Sequence, residues 1–446
     1  EAISRMSEKF ASFTGGTGQD DTASPEQLFG DAVSDFRQGR LPEAEQSLLS
    51  IQSRQPDIPD VLHMLALIAL KTDRPGEAVK HLEKAVAVQP EVAEYFHLLG
   101  AAFKKEDRVE EAIQAYERAV TLDPNHIDAH YNLGNTFKSQ DRNQEAVLCY
   151  QRAIEINPDF FDAHCNLASV LNKAGQFEES VACCRRAVAL RPDVAEAHII
   201  LGVAFHHLGQ LEDSAASFQQ ALDIRPDIAE VHALLGRVYR ELGRPDDCLA
   251  SFQRSLEINP GLAEVHRDMG HALLKLGLLD VSISSYQKAL ALKPRDTEAN
   301  MGLGCALLEL RQFDDAMSYY QKALESNPED PGVQNIYMHG LLYLPGFPNP
   351  ELFDTCRKIV APCNRLEKIS PPPDEGAGYP STLNIGYLSS DFHKHANATL
   401  ILPLLANHDH QRFNITLYAN VTKSDHITDE FREYADQWVS INGMTD

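Results

Sequence analysis

The sequence contains no run of about eighteen apolar residues and no signal-peptide apolar core, so no segment of it is built to cross or enter a bilayer as a helix. Positive charge is scarce: 40 Lys and Arg stand against 65 Asp and Glu, for a net charge of −25. That balance argues against nucleic acid and anionic membrane as partners, because either needs clustered cations. None of the 8 cysteines has the CxxC spacing of a metal or redox site. Cys149, Cys165, Cys183, Cys184, Cys248 and Cys305 fall instead in periodic helical segments. Thiols used there as small hydrophobes suit a reducing compartment, and the expected localisation is cytoplasmic. The sequence also lacks a Gly-rich phosphate loop and an Arg/Lys clamp. Its first residue is Glu1 rather than Met, which reads as a fragment at that end.

What the chain has is a ladder of prolines. Pro56, Pro90, Pro124, Pro158, Pro192, Pro226, Pro260, Pro294 and Pro328 are spaced 34 residues apart. Ten residues after each of the first eight comes a small side chain (Ala66, Gly100, Gly134, Ala168, Gly202, Gly236, Gly270, Gly304), and 26 after comes a bulky one (Leu82, Tyr116, Tyr150, Cys184, Phe218, Phe252, Tyr286, Tyr320). Ala85, Ala119, Ala153, Ala187, Ala221, Ser255, Ala289 and Ala323 form a third column, 29 after. Small residues let helix axes approach while large ones fill the adjoining grooves. Proline cannot continue a helix but suits the turn before the next one. A unit of this size buries its apolar face only against its neighbours, so the units stack in one dimension. The pattern resembles the tetratricopeptide repeat. It implies a mostly α superhelix of nine repeats over residues 25–330, after a flexible Gly/Thr/Asp-rich leader at 1–24.

Acidic residues such as Asp128, Asp162, Glu196, Glu230 and Glu264 recur in the first turn of each first helix, where the helix dipole favours them. His130, His164, His198, His232 and His266 recur six after their prolines. Equivalent positions in neighbouring repeats are about 10 Å apart, too far for a metal whose nitrogen ligands sit at about 2 Å. These rings are therefore expected to fill the packing slot that Phe96 occupies, and no metal ligands are assigned. Asn132 and Asn166, eight after their prolines, are the candidate peptide-binding residues. In tetratricopeptide arrays the first helix lines a groove, and an amide there can hold an extended backbone. The other repeats carry Leu98, Ile200, Leu234, Asp268 and Gly302 at that position.

Beyond residue 330 the beat stops. Residues 331–370 read as capping helices and 371–382, with four prolines and two glycines, as a linker. Residues 383–446 alternate strand and helix: LNIGYLSSDF as a strand running into a loop, ATLILPLLANHD as a helix, RFNITLYAN as a strand, DHITDEFREYAD as a helix and QWVSIN as a third strand. That order opens an α/β domain, in which ligands sit at the carboxyl ends of the strands.

A repeat array followed by GYLSSDFHKH resembles the O-GlcNAc transferase family of protein glycosyltransferases, with its bacterial and Spindly-type members. Gly386, Tyr387, Ser389, Ser390, Asp391, Phe392 and His395 match the family's opening motif, while Ala396 replaces a proline. The resemblance implies the start of a Rossmann-like lobe at 383–446. It implies transfer of a sugar to Ser or Thr of polypeptide substrates, with His395 as catalytic base or positioning group and Ser389, Ser390 and Asp391 in the active-site loop. A neutral imidazole suits such proton transfer near pH 7. The donor, UDP-GlcNAc or a fucosyl nucleotide, would bind a second lobe that follows Asp446 in the family, and this chain alone would not turn over. No other cofactor is expected, and the repeats admit a homodimer. The alternative is a non-catalytic scaffold whose repeats assemble protein partners.

Overall fold

In the computed structural model of the chain, the described residues are 24–341, 343, 383–389, 405–406, 413–421 and 424–441. The chain divides into two compact units, Glu1–Cys363 and Asn364–Asp446.

The first unit is helical throughout its described residues. Nine antiparallel pairs follow one another: α1 (Pro25–Arg37) with α2 (Leu41–Arg54), α3 (Pro59–Lys71) with α4 (Pro75–Val88), α5 (Ala93–Lys105) with α6 (Val109–Leu122), and α7 (Ile127–Ser139) with α8 (Asn143–Ile156). Then come α9 (Phe161–Lys173) with α10 (Phe177–Leu190), α11 (Ala195–His207) with α12 (Leu211–Ile224), and α13 (Ala229–Glu241) with α14 (Pro245–Ile258). The last pairs are α15 (Ala263–Lys275) with α16 (Leu279–Leu292) and α17 (Thr297–Glu309) with α18 (Phe313–Ser326), and α19 (Pro331–Leu341) packs on the end. Substantial contacts join only elements one or two apart in sequence, as expected of a one-dimensional stack.

Each pair is joined by the same turn. The residue 17 after each of the first eight prolines of the ladder takes a left-handed conformation (Asp73, Asp107, Asp141, Gly175, Gly209, Gly243, Gly277 and Arg311), and so does Gly39 at the same place in the first pair. The next N–H then bonds a carbonyl five residues back, as in Arg74 N–H to Ala69 O at 2.8 Å, closing the helix end. Glycine meets this demand freely and aspartate tolerates it, but Arg311, at φ 61°, does so at a cost. Arg311→Gly is therefore expected to stabilise the ninth pair by about 1 kcal/mol, read as a higher unfolding midpoint in urea.

The small and bulky columns meet inside each pair. A Cβ added at Gly100, Gly134, Gly202, Gly236 or Gly270 would lie 2.6–2.8 Å from a ring carbon of Tyr116, Tyr150, Phe218, Phe252 or Tyr286 respectively, and Gly304 is as tightly covered by Tyr320. Where the bulky partner is not aromatic, the small residue is alanine: Ala32 with Leu48, Ala66 with Leu82, Ala168 with Cys184. Glycine makes room for a ring, and alanine suffices beneath a narrower side chain. Where serine stands 22 after the proline, its hydroxyl ties the second helix to the first, as in Ser214 Oγ to Gly202 O at 2.7 Å.

In the second unit, β1 (Leu383–Ser389), β2 (Phe413–Ala419) and β3 (Gln437–Ser440) form a parallel sheet in that order, with Leu383 opposite Phe413 and Thr416 opposite Gln437. Helix α20 (His426–Glu433) lies between β2 and β3 in the chain and starts with a capping box of Asp425 and Thr428. Leu405, Ile415, Leu417, Ala419 and Phe431 are buried together as its core. The alternation read from the sequence is present at these elements. The helices expected at 351–369 and most of the one at 398–409 lie outside the described residues, as do the leader and the linker.

Candidate functional site

The first helices of the pairs carry the polar chemistry of the array, and Asn132 and Asn166 lie on it. Asn132, on α7, donates from Nδ2 to His97 Nε2 at 3.0 Å, one repeat back on α5. Asn166, on α9, donates from Nδ2 to Tyr131 Oη at 2.9 Å and to Asn135 Oδ1 at 3.0 Å, both on α7. Its Oδ1 accepts from Lys138 Nζ at 2.9 Å, and Asn135 Oδ1 also accepts from Tyr150 Oη at 2.8 Å. Both N–H bonds of the Asn166 amide are thereby engaged. At the same position on α15, Asp268 accepts from Arg237 Nε of α13 at 2.6 Å. A polar side chain eight after the proline thus fastens one first helix to the previous one.

A second group was missed by the sequence reading. Glu94 and His97, one turn apart on α5, meet His126, the N-cap of α7, with one ligand atom from each within 4.8 Å of the others. His126 Nδ1 accepts the Ala129 N–H at 3.2 Å, so its proton is on Nε2, which faces Glu94 Oε2 at 3.0 Å. His97 Nε2 accepts from Asn132, which puts its proton on Nδ1, on the side of Glu94 Oε1 at 3.8 Å. Every proton has one place in this chain. A metal on His126 Nε2 would force a proton onto Nδ1, against the Ala129 N–H, and cost the helix its cap. The group is a hydrogen-bonded clasp between the third and fourth repeats. Burial raises the Glu94 carboxyl, but the hydrogen bond from His126 and the nearby His97 ring outweigh it and bring it down to about 2. The Glu94 bond raises His126 in turn. Glu94 therefore contributes stability that is whole above the ordinary carboxylate range and is lost as pH falls toward 2.

His63, one repeat earlier, is only 3% exposed, and neither ring nitrogen has a hydrogen-bond partner. Burial lowers its pKa from 6.5 to about 4, against a weaker upward pull from Glu94. The unfolded chain takes up a proton near pH 6.5 and the folded chain resists until about 4, so this contribution is whole above 6.5 and lost as pH falls through 4. Acidifying from pH 7 to 4 is expected to cost roughly 3 kcal/mol at this residue. His63→Leu should flatten that part of the stability profile in urea titrations at the two pH values.

The periodic histidines have a hydrogen-bonding reason beyond filling a slot. His130, His164, His198, His232 and His266 each bring Nε2 to the carbonyl of the proline six residues back, at 2.9–3.2 Å. Asn300 and Gln334 reach the same carbonyls of Pro294 and Pro328 with amide nitrogens, at 3.4 and 2.7 Å. Proline leaves its own carbonyl at the start of the turn without a helical donor, and the side chain supplies one. Among the described cysteines, burial pushes the thiols of Cys149, Cys165 and Cys184 up to about 12, which disfavours the reactive thiolate. Among the described residues no helix is long and apolar enough to cross a membrane. Of the residues assigned to an active-site loop, Ser389 ends strand β1, while Ser390, Asp391 and His395 lie outside the described residues.

Family models for the tetratricopeptide repeat match residues 59–92, 127–160, 165–227, 229–262 and 267–331, and a further TPR repeat model matches 105–141, together more than half of the chain. The chain is a tetratricopeptide-repeat protein. A search of curated proteins gave no match. Among solved structures, this tetratricopeptide-repeat protein is similar to YrrB, described as a TPR protein with an unusual peptide-binding site, at 22% identity over 43% of this chain and 97% of that one, with a TM-score of 0.38. It is also similar to pilF of Pseudomonas aeruginosa (20% identity, 49% and 97% covered, TM-score 0.43) and to MamA of Desulfovibrio magneticus RS-1 (22%, 38% and 96%, 0.37).

Proposed function

We propose that the repeat array is a polypeptide-binding scaffold. The observation that carries this is the polar face of the first helices from the third to the eighth repeat. Its side chains are fixed by bonds across the repeat junctions, so little side-chain freedom is lost when a ligand docks. Asn132 and Asn166 act in this reading by orienting their neighbours, since Asn166 has no N–H to spare for a ligand backbone. The test is to present the full chain to an array of unstructured peptides and follow hydrogen exchange with those retained. Protection confined to the first helices of these repeats supports the scaffold. Protection elsewhere, or no retained peptide, refutes it.

A second reading, a protein O-glycosyltransferase whose repeats recruit its substrates, is favoured by one feature. The β1-β2-β3 sheet is parallel, and the resembling motif runs off the carboxyl end of β1, where ligands of such sheets bind. Under this reading His395 accepts the Ser or Thr hydroxyl proton as the sugar leaves UDP. Sugar transfer by a chain extended through a donor-binding lobe, abolished by His395→Ala, would support it. Absence of transfer from either a GlcNAc or a fucosyl donor would leave the scaffold alone.

A further inference from the structure

In five successive repeats the residue 14 after the proline is a hydrogen-bond donor: Lys104 on α5, Lys138 on α7, Asn172 on α9, His206 on α11 and Arg240 on α13. The row lies along the junctions between first helices. Lys138 Nζ reaches Asn166 Oδ1 on the next first helix at 2.9 Å, and Asn172 Nδ2 reaches the Ile200 carbonyl at 3.1 Å. In a chain of net charge −25, Lys104, Lys138 and Arg240 form no ion pair with any described carboxylate. Burial lowers the pKa of Lys104 and Lys138, with only Glu196 acting at longer range to raise that of Lys138 among the acidic groups. One rung is already filled from within: His206 Nε2 takes Glu241 Oε1 at 3.0 Å. The first-turn acids run parallel to this row but ten residues earlier, about 15 Å away along each helix. Two of them are themselves occupied, Glu94 by His126 and Asp162 by Arg191.

We propose that this row is the docking track of an acidic polypeptide segment, whose side-chain carboxylates take the places that Glu241 takes at His206. The inference rests on the scaffold reading and names the class of its partner. Neighbouring rungs are about 10 Å apart, and an extended chain advances about 3.3 Å per residue. The fitting segment therefore carries an acid at every third residue.

The experiment uses the full chain and two labelled peptides of one length, Asp at every third position among Gly and Ser in one, Asn in its place in the other. Fluorescence anisotropy is read at low and at high salt. The Asp peptide is expected to bind at least about tenfold more tightly than the Asn peptide, and to lose that advantage at high salt. Lys104→Glu with Lys138→Glu is expected to abolish the difference. Lys104→Gln with Lys138→Gln, which keeps polar side chains at both rungs, should reduce it, and far-ultraviolet circular dichroism should show both variants folded. Equal binding of the two peptides, or an acidic preference untouched by the variants, overturns the acidic track and leaves the scaffold reading standing. If neither these peptides nor any on the array is bound, both fall together.

Discussion

Gly236→Ala is expected to destabilise the array by about 2–3 kcal/mol, although the same change at an exposed helical position would stabilise it by about 1 kcal/mol. The added methyl would sit 2.6 Å from Cδ1 and Cε1 of Phe252, a ring that is fully buried and cannot swing aside. Overpacking of that kind outweighs the gain in helix propensity. The check is a double-mutant cycle with Phe252→Leu, measured by urea unfolding. The double variant recreates the Ala32–Leu48 and Ala66–Leu82 pairs found elsewhere in the chain. It should be more stable than the sum of the single changes implies, by at least about 1 kcal/mol. Strict additivity would mean that the two columns are not in contact.

Arg267→Met is expected to cost about 3 kcal/mol, confined to the end of the array. Arg267 lies 3.3 Å from Asp268 and 3.4 Å from Asp296, carboxylates only 6% and 3% exposed, and 3.2 Å from the well-exposed Glu298. Methionine keeps the apolar stem but leaves Asp268 with Arg237 and Asp296 with a single lysine, Lys293, at 3.7 Å. The Glu298 contact adds little, because water screens it. Asp296 also caps α17 through the Ala299 N–H at 2.9 Å, so the loss falls on the eighth and ninth repeats together. Native-state hydrogen exchange should show faster opening across residues 263–326 and unchanged protection in 59–122. Uniform acceleration along the array would contradict nearest-neighbour stacking, and no acceleration would mean that the carboxylates are already satisfied without Arg267.

The array was legible in the sequence because its physics is periodic. The proline ladder marks the turns, and the small and bulky columns mark the faces that meet. The finer rule, glycine under a ring and alanine under Leu48, Leu82 or Cys184, was also present in the residues, in the correlation between columns rather than in either alone. The turn geometry was half hidden, since Asp73, Asp107, Asp141 and Arg311 stand where glycine would announce a left-handed residue. The histidine column was read as packing, although Asn300 and Gln334 in the same column already pointed to a shared donor for the proline carbonyl. The junction chemistry could not be read, because it depends on how successive helices are placed. Glu94 looked like one more first-turn acid, and His126 belongs to no column. Ser390, Asp391 and His395 were singled out by motif alone, and they fall outside the described residues.

The bonds that fasten one first helix to the previous one differ from joint to joint: His97 with Asn132, then Tyr131 and Asn135 with Asn166, then Arg237 with Asp268. Each seam has its own key, so the modules cannot be shuffled even though their backbones are interchangeable. Excising the 34 residues that carry Asn166 would set Tyr131 and Asn135 against Ile200, an apolar side chain with nothing to offer them. Sequence order along this stack is thus enforced by mismatched locks, and lengthening or shortening it by duplication would demand that a new key be cut at every altered joint.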